Sequence, residues 1–153
     1  MKIAIYWMSK DYGGVDTHLL TLLRHWPVKE DIFLLYVNEG NSGFDAIKSK
    51  INEIPNIEII EVNSGWGKNN SISKLMSFIF FPIYFYYLKI KTVNELKNRN
   101  IDALFVQNGG YPGSWKALAT IWGAYKLKIK KRLLLIHHGA VPVSYTHLRA
   151  HET

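Results

Sequence analysis

Residues 2–23 read KIAIYWMSKDYGGVDTHLLTLL, and this stretch decides the fold. Ile3, Ala4, Ile5, Tyr6 and Trp7 form a brief apolar run, short enough for a central strand. Gly13 and Gly14 end it. Beyond them Leu19, Leu20, Leu22, Leu23 and Trp26 fall on one broad helical face. Asp16 or Thr17 is placed to cap the first turn. A strand that feeds a helix through a glycine turn opens a doubly wound α/β domain, where ligands sit at the carboxyl ends of the strands. Two glycines let backbone approach a ligand closely, and a helix N-terminus favours an anionic one. The expectation is a phosphate-bearing ligand near Gly13 and Gly14. The pair lacks the full spacing of the dinucleotide fingerprint or of the phosphate-binding P-loop, so a tight turn without a ligand competes with that reading.

The rest of the chain continues the pattern. Asp31–Asn38 is a second apolar strand, and Phe44, Ile47, Ile51 and Ile54 recur at helical spacing before Pro55. Ile57–Val62 alternates as a third strand would, and 63–70, NSGWGKNN, is a polar glycine-rich loop. Residues 71–100 begin with Ser71 or Ser73 as a helix cap and continue through an apolar, aromatic run over 75–90. Pro82 predicts a kink or a break there. The run falls short of the ~20 apolar residues a spanning helix needs. It is read as a helix packed on the sheet, with some exposed apolar patch. Its aromatics beside Lys89 and Lys91 also suit the interface of an anionic bilayer. Residues 101–107 form a fourth strand, 114–129 a helix with lysines at its end, and 132–136 a fifth strand. The order βαβαβαβαβ gives a parallel sheet with right-handed crossovers.

In such a sheet all strand ends lie on one edge. Three loops meet there: Gly13-Gly14, Asn108-Gly109-Gly110 and His137-His138-Gly139. A neutral imidazole at that edge bonds a sugar hydroxyl or a phosphate, although His137 also reads as a satisfied core histidine. Tyr111 is a stacking platform or a loop anchor. Size and charge bound the rest. A chain of 153 residues suits one domain, and 48% hydrophobic with 20% charged residues is ordinary for a globular fold. Without cysteine there is neither a disulfide nor a thiolate metal site, which fits the cytosol. The apolar residues before Ser9, Lys10 and Asp11 are too few for a secretory signal. The net charge of +7 permits an anionic membrane surface, nucleic acid or phosphorylated substrates and selects none; a soluble basic surface accounts for it. No metal motif and no internal repeat appears.

With these residues in view, GGVDTHLLTLL resembles the GG-x-x-x-H-x-x-x-L pattern of family 4 (group 1) glycosyltransferases. DALFVQNGGYPGSWKALATIWGAYKL resembles that family's strand, glycine loop and following helix, and LLLIHHGA its strand ending in His-Gly. The resemblance covers residues 1 to about 142 and is in register at all three loops. It implies the Rossmann-like, doubly wound N-terminal half of a GT-B enzyme. Such an enzyme has two domains with the active site between them, transfers sugar with retention, and needs no metal or cofactor beyond the nucleotide-sugar substrate. Carried over by position, Gly13 and Gly14 lie near the donor diphosphate and His138 is catalytic, facing the donor sugar. Asn108, Gly109, Tyr111 and His137 are candidate substrate-binding residues. The implied partners are a nucleotide-sugar and a glycan or lipid-linked acceptor, with an anionic membrane surface as a further one. No nucleic-acid partner is expected, and the implied location is cytoplasmic, on the inner face of the membrane.

The sequence departs from that family in two ways. A second domain with its acidic donor-binding pair is absent. Residues 143–153, VSYTHLRAHET, resemble a translated sequencing adapter, as one reading frame of TCTTATACACATCT and onward would give. On this reading residues 1–142 are an acceptor-side domain of an incomplete protein, inactive alone, and 143–153 are a non-native, disordered tail. His147 and His151 are then no metal site. Two other readings stand beside it. One is a nucleotide- or dinucleotide-binding Rossmann module, for which Glu39 is the sole acidic candidate after the second strand. The other is a non-catalytic membrane-surface interaction protein.

Overall fold

The computed structural model describes residues 1–8, 13–63, 80–108 and 114–137. Within them β1 (Lys2–Trp7), α1 (Gly14–Arg24), β2 (Ile32–Asn38), α2 (Ser42–Asn52), β3 (Ile57–Val62), α3 (Phe81–Leu96), β4 (Ala103–Asn108), α4 (Trp115–Lys126) and β5 (Lys131–Ile136) follow in order. The strands form one sheet in the order β3-β2-β1-β4-β5. Every pair in it is parallel. The chain therefore winds outward from β1 through β2 to β3, crosses back, and winds the other way through β4 to β5. This is the doubly wound Rossmann-like order, and its direction reverses between β1 and β4.

Alternation along the strands divides the core in two. Ile3, Ile5 and Trp7 face α1 and α2 together with Phe33, Leu35 and Val37, and meet Leu19, Leu23, Phe44, Ile47 and Ile51. Ala4 and Tyr6 face the other way with Leu34, Tyr36, Leu104 and Val106, and meet Leu96, Ala117 and Ala124. Strands covered on both sides read as continuous apolar runs, as parallel strands do. The two helices on the second face lie close: a Cβ on Gly123 of α4 would stand 3.0 Å from Thr92 Oγ1 of α3.

One local expectation is corrected. Neither Asp16 nor Thr17 is the cap of α1; Gly13 is, with extended backbone, and Asp16 sits three residues on, accepting from the Gly13 N–H. That is half of a capping box, since glycine has no side chain to complete it. Pro82, expected to kink or break the apolar run, coincides with the start of a helix. It stands in the first turn of α3, where its missing N–H leaves no bond unmade. Residues 64–79 lie outside the described part.

A polar network is built into the second face. Tyr6 Oη donates to Glu95 Oε2 at 2.7 Å, and Lys116 Nζ donates to Glu95 Oε1 at 3.0 Å and to the Asn63 carbonyl at 2.9 Å. The Tyr6 and Tyr36 rings stack at 4.4 Å, and Tyr36 Oη donates to the Glu95 carbonyl at 3.2 Å. Burial pushes the Tyr36 hydroxyl up to about 12 and the Tyr6 hydroxyl well above the usual tyrosine range, with Glu95 acting in the same direction. Burial also holds the Lys116 amine below the usual lysine range, and Glu95 opposes that shift.

Candidate functional site

The reversal point between β1 and β4 is where an open α/β sheet leaves a crevice beyond its strand ends. The carboxyl end of β1 leads toward Gly13, the N-cap of α1. Its backbone is extended, with φ −172°, and its carbonyl accepts from the N–H groups of Asp16 at 3.1 Å and Thr17 at 3.2 Å. Among the described residues no atom lies within 4 Å of where a Cβ on Gly13 or Gly14 would stand, so none of them crowds either glycine. Asp16 is fully buried. Burial raises its carboxyl above the usual carboxylate range, and the Gly13 N–H and the Trp7 indole work against that rise. Trp7 Nε1 and Asp16 Oδ1 nonetheless lack a well-formed hydrogen bond among the described residues.

The carboxyl end of β4 supplies Gln107 and Asn108. Asn108 is buried and committed to the scaffold: its Oδ1 accepts from the Ser114 N–H at 3.1 Å, and its carbonyl accepts from the His137 N–H at 3.1 Å. It thereby ties β4 to the N-cap of α4 and to the residue after β5. Ser114 in turn accepts from the Ala117 N–H at 3.3 Å. The Gln107 amide Nε2 lies 3.3 Å from His18 Nδ1, and the His18 and His137 rings meet edge to face at 5.2 Å. Three described segments thus converge on one edge: the start of α1, the end of β4 and the residue following β5. Both α1 and α4 begin at this edge, and helix N-termini attract anions. Among the described residues no group of three or more metal-ligating side chains gathers.

Of the candidates from sequence, Gly13, Gly14, Asn108 and His137 belong to this edge. Gly109, Tyr111 and His138 lie outside the described residues, as does the tail 143–153. His18 and Gln107 were not among those candidates. The histidine of the GG-x-x-x-H spacing was the signal for the first. A glutamine closing an otherwise apolar strand was the signal for the second.

The fold has solved counterparts. An Acinetobacter baumannii MurG structure superposes with a TM-score of 0.59 at 15% identity, over 98% of this chain and 39% of its own. A UDP-N-acetylglucosamine 2-epimerase superposes with a TM-score of 0.55 at 8% identity, over 99% of this chain and 37% of its own. The chain thus spans about two fifths of the length of these structures. No family model matches it, and no similar sequence is found among curated proteins. What the likeness shows is architecture: this is a Rossmann-like domain of the GT-B kind.

Proposed function

We propose that this chain is the acceptor-side, N-terminal domain of a retaining GT-B glycosyltransferase that moves a sugar from a nucleotide-sugar to a glycan or lipid-linked acceptor. The observation that carries the reading is the convergence of Gly13, Gly14, His18, Gln107, Asn108 and His137 on the edge where the winding reverses. Among the described residues that edge offers open space beside two glycines, a helix N-terminus for a diphosphate and imidazoles for hydroxyls or phosphate. One of the two structural neighbours carries a UDP-sugar in its name. In this reading Gly13 and Gly14 approach the donor diphosphate, His138 is the catalytic residue facing the donor sugar, and Gly109, Tyr111 and His137 bind substrate. Asn108 holds the loop ends that frame them. Sugar transfer belongs to the longer protein, and this chain alone binds without turnover. Titration of the purified chain with UDP-N-acetylglucosamine and, separately, with NAD tests the reading. Saturable binding of the first and none of the second is expected; the reverse preference would assign a dinucleotide module built on Glu39.

One observation supports a membrane-facing side. On α3 the side chains of Ile83, Tyr86 and Ile90 are 64%, 63% and 45% exposed. Lys89 lies 4.8 Å from the Phe85 and Trp122 ring centres, and Lys126 5.3 Å from that of Trp122. Aromatic and aliphatic groups flanked by lysines suit an anionic bilayer interface. Among the described residues no helix is long and apolar enough to cross a membrane. Sedimentation with phosphatidylglycerol vesicles should carry the chain down, and an Ile83→Asp, Tyr86→Asp double variant should stay largely in solution. Equal sedimentation of both would remove the membrane from the account. Phe81 is a poorer test position, because it packs on Phe85 and, at 4.6 Å, on Trp115.

A further inference from the structure

Gln107 is 1% exposed and fills the β4 position that pairs with Trp7 of β1 and Leu135 of β5. The residues preceding it on the same face of β4 are Ala103 and Phe105, both apolar. An aliphatic side chain at 107 would bury no polar group, whereas the glutamine leaves its Oε1 buried without a partner among the described residues. Leaving a buried acceptor unpaired opposes folding. What the amide does gain is its 3.3 Å contact with Nδ1 of His18, a residue that is itself exposed.

An amide N–H donates only to a bare ring nitrogen. With Gln107 donating, Nδ1 is the acceptor and the ring proton resides on Nε2. A carboxylate at 107 would demand the opposite, because it can only accept. We infer that Gln107 is a positioning residue that fixes His18 in the Nε2–H form, so that His18 presents an N–H donor to an anionic oxygen bound at the start of α1. The identity of that oxygen, a nucleotide diphosphate, rests on the glycosyltransferase reading above; the ring's tautomer does not. The first-turn N–H groups of Gly14 and Val15 have no acceptor within their helix. His18 sits one turn further along α1. Its donor would extend that row of N–H groups, giving a diphosphate a side-chain contact in addition to backbone ones. The edge-to-face packing of His137 on the His18 ring restricts the ring's tilt and supports the same orientation.

The test uses the full 153-residue chain, labelled with nitrogen-15, and long-range proton–nitrogen spectra of its imidazoles. His18 is expected to carry its proton on Nε2. Gln107→Glu should move that proton to Nδ1, and Gln107→Met, which removes the donor without adding charge, should leave a mixture of both forms. Uridine diphosphate is the binding probe. Its affinity should fall about tenfold in Gln107→Glu, as the loss of one hydrogen bond to a charged group implies. His18→Ala should weaken binding by the same factor, and the double variant by no more. A ring that keeps the same tautomer in both Gln107 variants, or a wild-type ring protonated on Nδ1, would overturn the positioning role. Should uridine diphosphate fail to bind the wild type, the nucleotide-sugar reading falls, and the imidazole spectra still decide what Gln107 does. If Gln107→Glu does not fold, the Gln107→Met spectrum decides it.

Discussion

Glu95→Ala is expected to destabilise the domain by about 3 kcal/mol, the lower part of the range for breaking a buried ion pair. Its partner Lys116 is 2% exposed at the side chain and Glu95 is 15% exposed, so loss of the carboxylate strands an ammonium in the interior. Tyr6 Oη loses its acceptor in the same step. Urea unfolding followed by circular dichroism measures the loss. The Glu95→Gln, Lys116→Met double variant should recover much of it, because replacing both charges removes their desolvation as well as their attraction. A double variant no better than Glu95→Ala would show that the two side chains are not energetically coupled.

The sign of the pH dependence follows from Lys116. Its native pKa is lowered by burial, so the charged amine burdens the native state at neutral pH. That burden lifts as pH rises from the native pKa toward the unfolded value near 10.4. Removing Glu95 takes away the interaction that favours the charged form, which lowers the native pKa further. The deficit of Glu95→Ala relative to wild type should therefore shrink between about pH 7 and about pH 10. Above that range both proteins lose stability, because Tyr36 holds its proton in the native state to about 12 and an unfolded tyrosine does not.

None of this network was visible in the sequence. Tyr6, Glu95 and Lys116 lie on three elements, 89 and 21 residues apart, and each alone looks ordinary. Tyr6 reads as one more apolar strand residue, and Lys116 as a solvated lysine in a first helical turn. The elements themselves were readable, because a parallel strand covered on both faces must be apolar throughout and an amphipathic helix must repeat. Their ends were not. Asp102, assigned to the fourth strand from its apolar neighbours, stands before β4, and its Oδ2 accepts from the Lys2 N–H at 2.7 Å. A side chain that takes a backbone donor one hundred residues away leaves no local signature. At the candidate site the glycines and the loop edge followed from topology. The division of labour did not: Asn108, read as a ligand contact, is engaged with Ser114 and His137, while Gln107 beside it reaches His18.

Trp7→Ala is expected to cost about 3–5 kcal/mol, as deletion of a fully buried large aromatic side chain does. Trp7 is 0% exposed and is the largest fully buried side chain described. It closes β1 between Val37 of β2 and Gln107 of β4, and its ring meets Phe44 of α2 edge to face at 5.9 Å. Neighbours held by backbone pairing in a parallel sheet cannot collapse far into the space it leaves, which puts the cost toward the upper end. Trp7→Phe should lose far less, roughly 1–2 kcal/mol, for two reasons. A ring remains against Phe44, and the indole N–H, buried without a well-formed partner among the described residues, disappears. The comparison also reaches the site. Trp7 underlies the first turn of α1 through Asp16 and lies next to Gln107, so the alanine variant loosens the contacts that place Gly13 and His18. Uridine diphosphate affinity should then follow the order wild type, Trp7→Phe, Trp7→Ala. Unfolding is followed by circular dichroism, since the substitution itself removes a fluorophore. A Trp7→Ala variant that loses stability as expected but binds the nucleotide undiminished would show that the glycine turn holds its shape without support from the core beneath it.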